Sequence, residues 1–187
     1  MSNKDIDLKE KFRVALTSTA KVISDDFEVK NNSSDKNKTK DLNPIEIENI
    51  TNPSDFIKLR AESDSAALKK KFSNTFIYKK NLPNNRSSRS LYDIAEKIRY
   101  EALGGKMLKG IEKNFQENYS HIINSKRKDQ LKTKEDVPVT EAFELYMLKN
   151  FHEIKLSPLT TKILNFWEHD FDQSVGKHKK FLQDNLE

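Results

Sequence analysis

Residues 89–115, RSLYDIAEKIRYEALGGKMLKGIEKNF, constrain the fold more than any other stretch of this chain. Leu91, Ile94, Ala95, Ile98, Ala102, Gly105, Leu108, Ile111 and Phe115 recur at three- and four-residue spacing, which marks one apolar face of a helix. Yet three of the chain's four glycines, Gly104, Gly105 and Gly110, lie inside that pattern. A glycine in a helix interior costs about 0.5–1 kcal/mol relative to alanine. Two explanations offset that cost. Small residues let a second helix or subunit approach closely, or the helix stops at Gly104–Gly105 and restarts. The unbroken apolar register favours the first.

The same spacing recurs along the chain. Leu8, Phe12, Ala15, Leu16, Thr19, Val22 and Ile23 predict an amphipathic helix over 6–24. Residues 52–72 read as a second helix, with Asn52 as cap, Pro53 in the first turn, and Phe56, Leu59, Ser63, Ala66 and Ala67 inward. Between them, 27–32 and 44–50 alternate apolar and polar around 32–41, a flexible polar loop with no apolar residue. Residues 74–88 read as an irregular connector, after which Ser87 or Ser88 caps the glycine-bearing helix. Residues 121–138 read as a helix tail followed by a basic connector. A helix over 140–151 would be capped by Thr140, with Phe143, Tyr146, Met147 and Phe151 inward. The Ser-Pro start at 157 predicts another over 157–171, lined by Leu159, Ile163, Phe166, Trp167 and Phe171, with helix continuing towards Glu187. The expected fold is mainly α, one helical region over 1–187 with at most a small β-hairpin near 27–50.

Composition narrows the function. There is no cysteine, which removes disulfides, thiolate nucleophiles and Cys-ligated zinc. No run of eighteen apolar residues exists and the N-terminus lacks a signal-type apolar core, so the expected compartment is the cytoplasm. The net charge is +5, and Lys58–Arg99 holds eleven Lys/Arg against four Asp/Glu. Such a surface suits an acidic protein, an anionic ligand or nucleic acid, or simply solubilises the chain. Phe72, Phe76 and Tyr78 stand between basic pairs, a pattern that suits single-strand stacking as well as a core.

The sequence carries no recognisable active-site motif. SVGKH (174–178) misses the phosphate-loop pattern, with Phe171 for the first glycine and His178 for Ser or Thr. SDSAA (63–67) falls short of a D-x-S-x-S metal site, because Ala66 stands where the first serine after Asp64 would be. His121, His152, His169 and His178 show no metal-ligand spacing and read as scattered surface histidines.

The opening stretch nevertheless resembles a known family. EKIRYEALGGKMLKGIEKNF (96–115) is similar to a segment of the CobT subunit of aerobic cobaltochelatase, matching at Glu96, Arg99, Glu101, Ala102, Leu103, Gly104, Met107, Gly110 and Asn114. FRVALTSTAKVISDDFEV (12–29) resembles that family's N-terminal start, and KLRAESDSAAL (58–68) matches a further element at Arg60, Asp64, Ala67 and Leu68. Looser likenesses lie at 137–151 and 164–171. The similarity spans essentially the whole chain.

The resemblance implies a non-ATPase subunit of an enzyme that inserts Co²⁺ into hydrogenobyrinic acid a,c-diamide during cobalamin biosynthesis. The complex uses ATP, Mg²⁺ and Co²⁺; no cofactor, metal or catalytic residue is expected within this chain. Implied partners are a CobS-type AAA+ ATPase, a CobN-type large subunit and further copies in a homo-oligomeric ring. No membrane contact is expected, and nucleic acid ranks as the alternative partner. The family continues through an acidic linker into a von Willebrand factor A-type domain that these 187 residues lack, so its metal-adhesion function is not carried over. The family's Arg-Gly pair is Arg60-Ala61 here. Candidate packing or interface residues are Arg60, Asp64, Glu96, Arg99, Glu101, Gly104, Gly105, Met107, Gly110 and Asn114.

Overall fold

A computed structural model describes residues 3–26, 50, 52–125 and 133–186. Among them every regular element is helical. The hairpin expected near 27–50 and the polar loop 32–41 fall outside the described residues, apart from Ile50. The chain divides into two compact units, Met1–Phe72 and Ser73–Glu187.

In the first unit α1 (Asn3–Ser24) packs on α2 (Pro53–Phe72). Leu16, Ala20 and Ile23 of α1 and Ala61, Ala67 and Leu68 of α2 are buried. The Phe12 and Phe56 rings meet edge-on at 4.8 Å, while Asp26 and Asp25 pair with Lys70 and Lys71. Those contacts join the middle of α1 to the start of α2 and the end of one helix to the end of the other, so the two helices run in the same direction. Leu8 and Val22, expected inward, are exposed, and Ala20 takes the core position instead. Large side chains would hold the backbones apart; Ala20, Ala61 and Ala67 let them approach.

The second unit is built around α4 (Arg86–Met107), which packs on α5 (Lys109–Ser125) and α6 (Val139–Phe151). It is preceded by α3 (Thr75–Lys80), where an irregular connector was expected. Asn74 starts α3 by accepting from the Phe76 and Ile77 amides. Asn85, not Ser87 or Ser88, caps α4, because its side chain reaches the amides of both serines. Thr140 lies inside α6; Pro138 precedes that helix and gives it no side-chain cap. Ser157 does cap α7 (Pro158–Asn165), accepting from the Thr160 amide. The helix expected over 157–171 breaks at Phe166–Trp167, and α8 (Glu168–Phe171), a wide turn over 172–176 and α9 (Lys177–Asp184) follow. The break has a tertiary cause: the Trp167 indole donates to the Val137 carbonyl at 3.2 Å and carries Lys134 over its ring at 4.2 Å.

The glycine question is settled at the α4–α5 corner. The helix stops at Leu108, whose extended backbone (φ −138°, ψ 109°) donates to Gly104 and whose carbonyl accepts from Ile111 and Glu112. The apolar register therefore does not continue, and Leu108, expected in the core, is exposed. No glycine has positive φ, so backbone freedom is not the reason for them. Space is: a Cβ on Gly105 would stand 3.3 Å from the Glu112 Cβ. The turn brings the first coil of α5 onto Gly105, so the close approach holds, whereas the stop expected at Gly104–Gly105 does not: α4 runs through both glycines to Met107 and breaks at Leu108. Gly110 has nothing within 4 Å of its would-be Cβ.

Candidate functional site

The family-like stretch supplies two polar clusters, on different sides of α4. In the first, the Arg99 guanidinium grips Glu96 with two bonds, Nε to Oε2 at 2.7 Å and Nη2 to Oε1 at 2.9 Å. Its third nitrogen, Nη1, donates to the Leu186 carbonyl at 2.8 Å, and the Ser73 hydroxyl donates to Glu96 at 2.5 Å. A planar fork meets a carboxylate and a carbonyl at once here, which a lysine cannot reproduce. The cluster ties the start and the end of this unit to the middle of α4. Lys106 adds a second tie, donating to the Gln183 carbonyl at 3.1 Å.

The second cluster is internal. Glu101 is 1% exposed and accepts from the Tyr119 hydroxyl of α5 at 2.5 Å. His152, 5% exposed at the end of α6, places Nε2 at 4.0 Å from Glu101 Oε2. That separation is too long for a hydrogen bond. Among the described residues Nε2 has no hydrogen-bond partner. The imidazole lies against the Phe115 and Tyr119 rings, at 6.0 and 5.8 Å. Burial, with the Lys97 ammonium adding to it, pushes His152 down to about 4, so the ring is neutral at pH 7. Burial and the Glu101 charge hold the Tyr119 hydroxyl far above the usual phenol range, which keeps it a proton donor. Lys97 also sits 5.5 Å above the Tyr119 ring. Glu101, Tyr119 and His152 thus join α4, α5 and α6 at one point closed to solvent, where no solute can reach them.

The other candidates are scattered. Gly104, Gly105 and Asn114 are buried at and beyond the α4–α5 corner, whereas Met107 and Gly110 are exposed there. Arg60 and Asp64 lie one turn apart on α2 in the other unit, Arg60 exposed and Asp64 buried. Among the described residues no three His, Asp or Glu side chains gather as a metal site. No described helix is long and apolar enough to cross a membrane.

The family model of the cobalamin biosynthesis protein CobT matches residues 7–187. The chain belongs to the CobT family. That match places it in cobalamin biosynthesis and covers both units. No curated protein and no solved structure matches the chain.

Two members of the internal cluster of this CobT-family chain escaped the sequence reading. His152, grouped with surface histidines, is in the core. Its register with Leu145 and Leu148 on α6 carried that information. Tyr119 likewise continues the buried series Ile111, Phe115, Tyr119 and Ile123 on α5. Leu186, whose carbonyl receives Arg99, had no such signal, since the contact joins residues 87 positions apart.

Proposed function

We propose that this chain is the helical N-terminal part of a non-ATPase subunit of ATP-dependent cobaltochelatase. In that role it is an assembly module for a CobS-type AAA+ ATPase and does not itself catalyse. The complex would insert Co²⁺ into hydrogenobyrinic acid a,c-diamide in the cytoplasm, with a CobN-type subunit holding the ring and ATP and Mg²⁺ used by the ATPase. Copies of the chain would assemble as a homo-oligomeric ring.

One observation carries the reading: the family match runs over 7–187, and the most specific motif within it is spent on internal structure. Glu96, Arg99, Glu101 and Gly105 hold α4 to Ser73, to Leu186, to α5 and towards His152. Residues so used build a rigid body, which is what a subunit that transmits a partner's motion requires.

The test is retention of the host's CobS-type ATPase on the immobilised chain, with and without ATP, at moderate salt. Retention that responds to ATP is expected. Failure to retain it under either condition overturns the assembly role.

A further inference from the structure

Between Asp64 and Asp93 the sequence holds seven cations, Lys69, Lys70, Lys71, Lys79, Lys80, Arg86 and Arg89, and no carboxylate. The last four belong to the second unit, on α3 and at the start of α4, and all are exposed. The helix α3 amid them is held by an unusual side. The Tyr78 hydroxyl donates to the Asp93 carboxylate, and its ring lies 5.2 Å from that of Tyr92. That bond, with burial adding to it, pushes the Tyr78 hydroxyl up to about 12. Asn74 fixes the first turn.

Successive residues of a helix turn by about 100°, so Phe76 stands roughly opposite Tyr78, with Lys80 one turn further on the same face. The exposures agree: Phe76 is 75% and Ile77 55% exposed. A short surface helix ordinarily buries its apolar residues and presents its polar ones. This one is pinned through Tyr78 and presents its two most apolar side chains, with Lys79 and Lys80 exposed on the same helix and Arg86 and Arg89 exposed at the start of the next.

We propose that α3 is a docking element for a partner protein whose surface offers an apolar pocket to Phe76 and Ile77. Carboxylates around that pocket would face Lys79, Lys80, Arg86 and Arg89. An apolar centre with a charged rim is the anatomy of a protein interface, and rigid anchors carry most of its affinity. The inference rests on the proposed role as a subunit that works against a partner.

Other occupants fit less well. Stacking on single-stranded nucleic acid needs successive rings; Tyr78 is turned to Asp93, and Ile77 has no π face. Two apolar side chains are too few to anchor a membrane. A second copy docked α3 to α3 would set four cations against four.

The CobS-type ATPase of the same host is the probe, titrated against the intact chain, Phe76→Ala/Ile77→Ala, Lys79→Glu/Lys80→Glu and Phe181→Ala. Phe181 is an exposed phenylalanine of α9, outside the patch. The apolar pair should weaken binding at least about tenfold, with its far-ultraviolet dichroism unchanged. The charge-reversed pair should weaken it too, and flatten its salt dependence. Phe181→Ala should bind like the parent. Parent binding with both α3 variants unchanged overturns the docking inference and leaves the subunit reading standing. No parent binding overturns the subunit reading, and this inference with it. Vesicles of phosphatidylcholine with phosphatidylglycerol, an oligothymidine strand and sedimentation of the chain alone run in parallel. Loss in the α3 variants confined to any of these assigns the patch to lipid, nucleic acid or self-association, and overturns the proposal.

Discussion

Replacing His152 by leucine should separate acid stability from neutral stability. The imidazole titrates near 6.5 when free and is pushed down to about 4 in the fold by burial. Between those values the unfolded chain binds a proton that the folded chain refuses, so stability falls as pH falls through that window. From pH 7 to pH 4.5 the displacement amounts to about two pH units, or about 2–3 kcal/mol. Leucine cannot take up the proton and removes this loss. At pH 7 it also removes a buried nitrogen that has no partner among the described residues. That gain, about 1–3 kcal/mol, is set against an imperfect fit between Phe115 and Tyr119 of similar size. The variant should therefore match the parent at neutral pH within about 1 kcal/mol. Urea unfolding followed by circular dichroism at both pH values reads the difference. With roughly 1–3 kcal/mol per molar urea, the parent midpoint should drop about 1–2 M further than the variant's. Parallel profiles would refute the reasoning. They would mean that the Glu101 carboxylate offsets burial, so that the folded and unfolded imidazoles bind the proton alike; a parent that loses less than the variant would mean that the carboxylate outweighs burial.

The glycines at the corner should answer differently to substitution. Gly110→Ala, in open space on an exposed helix, should stabilise by about 0.5–1 kcal/mol, whereas Gly105→Leu, forced against Glu112, should cost about 1–3 kcal/mol; thermal unfolding distinguishes them. Glu153 follows α6 with φ 53°, a left-handed conformation that glycine adopts freely, so Glu153→Gly should raise stability by about 1 kcal/mol in the same assay. Arg99→Lys keeps the charge but loses the fork that joins Glu96 to the Leu186 carbonyl. Amide exchange over 177–186 should speed up at least severalfold while α5 and α6 stay protected.

Local information decided a good deal of this protein. Apolar spacing placed α1, α2, α4, α6 and α7, because an amphipathic face repeats every three to four residues whatever it packs against. Ser157 and Pro53 marked helix starts by chemistry confined to one turn. The family-like stretch 96–115 was equally plain in the letters. Where such local signals competed, the outcome turned on distance. Asn85 displaced the two serines after it as the cap of α4, and Trp167 ended α7 because Val137 and Lys134 were there to hold its ring.

What only the tertiary structure decided is the use of those letters. The register through Leu108 pointed to one long helix, but α4 ends at Met107 and α5 folds back onto Gly105, with Ile111 and Phe115 buried. Glu101 and His152 lie 51 positions apart, and nothing local sets a carboxylate and an imidazole in the same closed core. The outward turn of Phe76 and Ile77 likewise follows the contacts of Tyr78 with α4, its bond to Asp93 and its ring against Tyr92, which fix which side of α3 is held. Periodicity reports that a helix has faces; only its neighbours determine which face is buried and which is left to meet a partner.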